Sequence, residues 1–98
     1  MTITQTRDGG RLTVAPDGRL DTITSQQLEK ELRTAVDGVT ELVFDFEKVP
    51  YITSAGLRVL SAAMKVMKRQ GRMVVRNMQD DVREVFDVTG LSDIMEIE

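Results

Sequence analysis

The residues best placed to do chemistry are the hydroxyls within the segment Tyr51-Ile-Thr-Ser-Ala-Gly-Leu-Arg-Val59. This segment joins a very apolar run, 42–46, to a long amphipathic stretch ending near Gln70, so a buried strand is predicted to give way to a helix here. A helix N-terminus presents unpaired backbone N–H groups and a partial positive charge, which together stabilise a nearby anion. Ser54 is therefore a candidate site for a phosphate, either bound or covalently attached.

The same residues also have a plain structural interpretation. The side chain of Thr53 or Ser54 could cap the helix by accepting a hydrogen bond from a backbone N–H two or three residues further on. Such a cap stabilises a helix by about 1 kcal/mol. Gly56 could permit close packing between strand and helix or an unhindered first turn. Residue types alone favour this capping interpretation, because such caps are common.

Composition limits the chemistry available to the chain. It has 98 residues, a net charge of -3, and neither cysteine nor histidine. Without these residues, a zinc site or a Ser/His or Cys/His nucleophile–base pair cannot be built. A hydrolase elbow needs Gly-x-Ser-x-Gly and a histidine base, whereas this chain reads Ile52-Thr-Ser-Ala-Gly56. We therefore expect a binding module that performs no catalysis and needs no metal or cofactor.

Charge and hydropathy also bear on partners and location. The acidic balance, the scattered basic residues and the small number of aromatic residues argue against direct nucleic-acid binding. No apolar run approaches the roughly 20 residues of a membrane helix, and the N-terminus lacks the layout of a signal peptide. We expect a cytoplasmic protein without a membrane or nucleic-acid partner.

Hydrophobic periodicity predicts one α/β domain over residues 1–98, with the order β-β-α-β-α-β-α-β. The turn signal Asp8-Gly-Gly10 separates two alternating stretches, so a hairpin of strands 3–6 and 12–15 is expected. The dense apolar run 42–46 is typical of a strand covered on both faces. Further strands are predicted at 73–75 and 94–97, giving a mixed β-sheet of about four to five strands with helices packed against it.

Three helices are predicted from apolar stripes and end signals. The first follows a capping-box pattern at Thr24-Ser-Gln-Gln27 and ends at Gly38. The second runs from the 51–59 segment to Gly71, and the third is stopped by Gly90. The apolar stripe of the first helix is expected to contain Leu28, Leu32, Ala35, Val36 and Val39.

Two features of the expected core involve unusual residue types. Asp45 lies within the apolar strand, where it could be a polar core residue or point toward an edge; the sequence leaves both alternatives open. The six methionines are predicted to fill the core instead of lining a recognition groove.

Five segments occur in the order and spacing of STAS domains. They are Gly18-Arg-Leu-Asp21, the strand 42–46, Tyr51-Ile-Thr-Ser-Ala-Gly-Leu57, Gly71-Arg-Met-Val-Val75 and Val85-Phe-Asp-Val-Thr-Gly-Leu91. Within that group the chain resembles the bacterial anti-sigma factor antagonists, over roughly residues 3–97. The resemblance implies a single STAS-type domain and a regulatory function.

In that family, the unphosphorylated antagonist binds an anti-sigma factor that is also a serine kinase of the histidine-kinase-like ATPase type. This binding releases a sigma factor for transcription. The kinase phosphorylates a serine of the antagonist, and a serine phosphatase restores the active form. Carried over to this sequence, the resemblance makes Ser54 the phosphorylation site and places Asp21, from the Gly-x-Leu-Asp motif, close to it.

The resemblance further implies a partner-binding surface around these two residues. It comprises Asp21, Thr22, Thr53, Ser54, Ala55, Gly56, Leu57 and Arg58. Two of them depart from the family pattern, since Thr53 replaces a frequent aspartate and Arg58 aligns with a smaller residue. Arg58 could meet a phosphate or an acidic patch of the partner, or it could be a solvated arginine.

A second interpretation keeps the STAS fold but gives the protein a different function. The chain could be a STAS subunit of another assembly, such as a stress-signalling or lipid-transport complex. Thr53 leaves this alternative open because it departs from the usual motif. Ser54 favours the switch, because a STAS domain that does not switch needs no phosphoacceptor there.

Overall fold

The structure, a computed structural model, describes residues 1–98. Its elements are β1 (Thr2–Asp8), β2 (Arg11–Asp17), α1 (Thr22–Ala35), β3 (Glu41–Asp45), α2 (Ser54–Gln70), β4 (Arg72–Arg76), α3 (Asp80–Val88), a 3₁₀ turn (Leu91–Asp93) and β5 (Glu96–Ile97). The predicted element order is confirmed. None of the helices is long and apolar enough to cross a membrane.

The five strands form one mixed sheet in the order β1-β2-β3-β4-β5. β1 and β2 pair antiparallel, as expected for a hairpin, and every later pair is parallel. Parallel neighbours require a crossover connection, which the helices provide. The carboxyl ends of β2 and β3 therefore point to the same edge of the sheet, and α1 and α2 begin beyond that edge.

All three helices pack on one face of the sheet. One cluster of buried apolar side chains joins the inward residues of the helices to alternate residues of the strands; it includes Leu28, Leu60, Met67 and Phe86 from the helices and Val14, Leu42, Phe44 and Val75 from the strands. Side chains alternate between the two faces of a strand, which explains why Val43 and Val74 lie outside this cluster. The predicted α/β class with helices against a mixed sheet is confirmed.

Charged side chains cross the other face of the sheet. Glu41 on β3 pairs with Arg11 on β2 at 3.3 Å and with Arg72 on β4 at 2.9 Å. Arg72 also pairs with Glu96 on β5. The neighbouring Val43 is almost fully buried although no helix covers it. Long charged side chains can cover apolar surface with their stems, and Arg11, Glu41 and Arg72 lie on the same face of the sheet as Val43.

The predicted boundaries of the first helix were wrong at both ends. α1 begins at Thr22, because Asp21 is its N-cap and Thr24 is the third helical residue instead of the cap. It ends at Ala35, with Val36 as C-cap, and Gly38 takes φ = 74° in the following turn. Val39 therefore lies outside the helix, although it is buried in the core as a stripe residue would be.

The two unusual core features are resolved by their contacts. Asp45 is the last residue of β3 and only half-buried; its Oδ1 accepts hydrogen bonds from the Glu47 N–H and from Asn77 Nδ2, both at 3.1 Å. It therefore holds the strand end in place. The core role predicted for the methionines is confirmed for Met67, Met73 and Met95, which are buried in the core cluster.

The stability of the domain is predicted to depend strongly on Leu20 at this edge of the sheet. It is fully buried and joins the segment before α1 to the segment before α2. Truncating such a leucine leaves a cavity, so Leu20→Ala should lower the free energy of unfolding by about 2–5 kcal/mol. Ile23→Ala is the matched control, because that side chain is 77% exposed and its loss should change stability by less than about 0.5 kcal/mol. Urea denaturation measures both, and equal effects would contradict this interpretation.

Candidate functional site

The N-termini of α1 and α2 are held side by side by a short backbone pairing. Leu20 and Ile52 form an isolated parallel bridge beyond the ends of β2 and β3. The Leu20 N–H donates to the Tyr51 carbonyl at 3.0 Å, and the Thr53 N–H donates to the Leu20 carbonyl at 2.9 Å. Asp21 and Thr53, the two N-cap residues, consequently leave this bridge next to each other.

The N-terminus of α1 is capped by its own side chains. Asp21 Oδ1 accepts hydrogen bonds from the N–H groups of Ile23 at 3.0 Å and Thr24 at 2.9 Å. In return, Thr24 Oγ1 accepts the Asp21 N–H at 2.9 Å, which completes a capping box. The backbone and side-chain hydrogen bonds from Thr24 lower the pKa of Asp21 below its usual value. The carboxylate of Asp21 is thus committed to its own helix.

The N-terminus of α2 is open by contrast. Thr53 occupies the N-cap position, but its Oγ1 donates to the Leu20 carbonyl at 3.0 Å and makes no capping hydrogen bond. The first bonded N–H of this turn is that of Leu57, which donates to the Thr53 carbonyl at 3.1 Å. The N–H groups of Ser54, Ala55 and Gly56 precede it and have no intrahelical acceptor. The capping role considered for Thr53 and Ser54 is therefore wrong.

The proposed phosphoacceptor is placed at this open turn. Ser54 is exposed and is the first residue of α2. Ala55 and Leu57 are half-buried, whereas Thr22 and Arg58 are exposed. Seven of the eight residues predicted for the partner surface thus have some solvent-accessible area, and all eight lie at the two adjoining helix starts.

Gly56 is the eighth residue, and it is buried. A Cβ on this residue would come within 2.7 Å of Ile52 Cγ1 and 3.1 Å of Leu20 Cβ. The first turn of α2 therefore rests directly on the Leu20–Ile52 bridge, and only glycine permits this approach. Gly56 can support a partner surface by positioning Ser54, but it cannot contribute a side chain to that surface.

Sequence reasoning missed a group of exposed apolar side chains around the same edge. Ile23 in the first turn of α1 is 77% exposed, Tyr51 is 43% exposed and Val88 near the end of α3 is 79% exposed. Tyr51 and Val88 line one shallow cleft, and the guanidinium of Arg19 lies 5.3 Å from the Tyr51 ring centroid. The sequence offered no clear indication of these exposed side chains, because an apolar stripe does not show which of its residues remain exposed to solvent in the fold.

The site as a whole suits recognition of an anion or a protein. Three free N–H groups and the positive end of the α2 dipole favour negative charge beside Ser54. No histidine or cysteine exists to activate the hydroxyl. The structure also holds no cluster of three or more acidic residues that could bind a metal ion.

Comparison with known proteins identifies the class to which this fold and site belong. A family model described as the STAS domain matches residues 2–98. The chain therefore belongs to the STAS domain family. The resemblance stated from the sequence is confirmed.

Its relatives specify the branch of that family. BtrV of Bordetella bronchiseptica, a candidate anti-sigma factor antagonist, is 34% identical over 99% of this chain and 85% of its own length. The anti-sigma-B factor antagonist of Listeria monocytogenes is 32% identical over 93% of this chain and 82% of its own length. The crystal structure of an anti-sigma factor antagonist from Mycobacterium paratuberculosis has a TM-score of 0.89 at 25% identity, covering 98% of this chain and 83% of that one. These matches place the chain among the anti-sigma factor antagonists.

The capping carboxylate gives a pH prediction. Because the pKa of Asp21 is lowered in the folded state, its contribution to stability is present above the unfolded pKa, about 3.9, and is lost as the pH falls through the lower folded value. Asp21→Asn removes this charge, so the variant should melt below the wild type at pH 7. The two melting temperatures should converge below about pH 4.

Thermal melts by circular dichroism between pH 7 and pH 2 measure this convergence. Asp17→Asn is the control, because the Asp17 side chain is exposed and makes no hydrogen bond or ion pair, so its melting curves should follow the wild type throughout. A constant difference between wild type and Asp21→Asn at every pH would show that the carboxylate charge does not stabilise α1.

Proposed function

We propose that this protein is a phosphorylation-controlled anti-sigma factor antagonist that works by partner switching. In its unphosphorylated form it binds an anti-sigma factor that is also a serine kinase, and this binding frees a sigma factor for transcription. The kinase then phosphorylates Ser54, and a serine phosphatase reverses the modification. The observation that carries the proposal is the exposed Ser54 hydroxyl at the start of an uncapped helix.

The open turn of α2 explains how the fold tolerates the modification. Phosphorylation of a serine adds about −1.5 to −2 charges at neutral pH. The unpaired N–H groups of the first turn and the helix dipole stabilise such a charge. A side-chain cap on α2 would already occupy those donors, as Asp21 occupies those of α1. The absence of a cap therefore supports Ser54 as the phosphoacceptor.

The surroundings of Ser54 suit a protein partner. Ile23 and Tyr51 are exposed apolar side chains on the segments that flank it, and exposed apolar groups of this kind are typical of interaction surfaces. A partner that packs over this edge must remove water from the Ser54 side chain. Desolvating a hydroxyl costs little compared with desolvating a phosphate, and an unpaired buried charge costs several kcal/mol. Phosphorylation should therefore release the partner.

The chemistry of the switch belongs to the partners in this proposal. The chain has no histidine or cysteine, and the Asp21 carboxylate at this edge is engaged in capping α1. In this proposal the kinase therefore binds ATP and supplies the group that accepts the hydroxyl proton. Hydrolysis of the phosphoserine requires the separate phosphatase for the same reason. The protein itself contributes a positioned hydroxyl and a surface that binds only while that hydroxyl is unmodified.

Substitution of Ser54 should separate modification from binding. The Ser54→Ala variant should take up no phosphoryl group from ATP and the cognate anti-sigma factor kinase, as measured by intact-protein mass spectrometry. It should still bind that kinase with nearly wild-type affinity. Ser54→Asp should bind more weakly, by about tenfold to thousandfold if its charge is buried unpaired, although a carboxylate imitates only part of a phosphate. Isothermal titration calorimetry measures these affinities.

Thr53→Ser is the control, because it keeps the hydroxyl that bonds the Leu20 carbonyl and should leave both phosphorylation and binding unchanged. Phosphorylation that persists in Ser54→Ala and maps to Thr53 would contradict the assignment. Equal affinities for the wild type, Ser54→Ala and Ser54→Asp would place the interface elsewhere. If the protein neither takes up phosphate nor binds the kinase, the result would favour the alternative, a STAS subunit of a stress-signalling or lipid-transport complex.

A further inference from the structure

The charged side chains of α2 are all positive, although the net charge of the chain is -3. They are exposed and form no ion pair within the chain: Arg58, Lys65, Lys68 and Arg69. Arg58, Lys65 and Arg69 are separated by seven and four residues, so they form one stripe along the helix. We call this stripe the α2 basic face.

The exposed side of α3 carries the opposite charge. Asp80, Glu84 and Asp87 are separated by four and three residues, so they also form one stripe, and all three are exposed. Asp87 pairs with Arg83 at 3.2 Å, whereas Asp80 and Glu84 pair with no basic side chain. We call this stripe the α3 acidic face.

Aliphatic side chains lie beside both charged stripes. Val66, next to the α2 basic face, is 39% exposed, and Val88, next to the α3 acidic face, is 79% exposed. Val66 also lines a groove of about 100 Å³ between α1 and α2, whose other walls include the apolar side chains of Leu32, Val36, Val59 and Ala63. Protein interfaces combine apolar contacts with a polar rim, and these two faces offer both.

The fold places the two faces on one side of the molecule. All three helices pack on the same face of the sheet, and α2 and α3 connect successive parallel strand pairs. The exposed sides of α2 and α3 therefore point away from the sheet in the same direction. A surface that carries both charges in this way is complementary to itself, because a twofold axis along the helices brings unlike faces together twice.

We propose that this protein associates with a second copy of itself as a twofold dimer, in which the α2 basic face of each copy contacts the α3 acidic face of the other. An axis across the helices would instead set α2 against α2, and like charges opposite each other oppose association. The dimer does not involve the Ser54 hydroxyl, so it does not depend on the function proposed above.

The size of the two faces sets the expected strength of the dimer. With a rise of about 1.5 Å per residue and a width of about 10 Å, the exposed sides of α2 and α3 together offer about 400 Å² per copy. A stable interface buries about 800 Å² per partner, so the dimer should be weak. Its charges remain close to solvent, so it should weaken as the salt concentration rises.

Sedimentation equilibrium of the full chain at about 0.05 M and about 0.5 M salt measures this association. The wild type should dimerise at low salt, with a dissociation constant at least about tenfold higher at high salt. Lys65→Glu and Glu84→Lys should each raise the low-salt dissociation constant by about tenfold or more, because each sets like charges opposite each other in both contacts of the homodimer.

An equimolar mixture of these two variants should dimerise again. In the mixed dimer, one contact joins Lys65 to Glu84 as in the wild type, and the other joins the two reversed residues, so both contacts are complementary. Recovery in the mixture also shows that neither variant lost its association by misfolding.

The control variants are Lys48→Glu and Glu47→Lys, which change the net charge equally. Both residues are exposed and lie in the segment after β3, outside either face, so these variants should dimerise as the wild type does. Ser54→Ala should also dimerise normally, which separates this test from a failure of the proposed function.

Three results would overturn the proposal: a wild type that stays monomeric at low salt, control variants that weaken the dimer as much as Lys65→Glu does, or a mixture that stays monomeric. A monomeric wild type whose binding to the cognate kinase is weakened by Lys65→Glu and not by Lys48→Glu would also overturn it, and would assign the α2 basic face to that kinase instead.

Discussion

The carbonyl oxygen of Leu20 accepts two hydrogen bonds from Thr53, one from the backbone N–H at 2.9 Å and one from Oγ1 at 3.0 Å. Both form beyond the ends of the paired strands, and they tie together two segments that the sheet no longer joins. A threonine hydroxyl donates only one proton, and here that proton points at the neighbouring segment. The Thr53 side chain, which could have capped α2, instead fixes the position of that helix. Its first turn is left open next to a helix whose N-terminus is capped.

Much of the fold is readable from the sequence, because most of its signals are local. The apolar run around Phe44 became a buried strand, and Gly71 ends α2 as its position indicated. The predicted start of α1 was wrong because Asp21, not Thr24, is the N-cap residue. Thr24 is the third helical residue, and its side chain accepts the Asp21 N–H in the same capping box. Val39 fits the apolar stripe predicted for α1, but it lies in the loop after the helix and is buried there. Hydrophobic periodicity cannot distinguish a buried helix residue from a buried residue of the following loop.

The site was less accessible to prediction, since its decisive contacts join residues far apart in the chain. The hydrogen bond from Thr53 to Leu20 spans 33 positions, so no local pattern could show that the threonine is diverted from capping. The family resemblance related Asp21 to Ser54, which the residues alone could not do. Only the structure shows why one helix start is closed and the other open.

The central claim is that a phosphate on Ser54 is accommodated locally, by an open helix N-terminus, without rearrangement of the sheet or of α3. The most direct measurement compares the amide NMR spectra of the protein with and without phosphoserine at position 54. The account predicts chemical-shift changes confined to residues 19–25 and 51–60, with the largest changes at the N–H groups of Ser54, Ala55 and Gly56. Large changes throughout β3 (Glu41–Asp45) and α3 (Asp80–Val88) would show that the domain itself rearranges, and would contradict it.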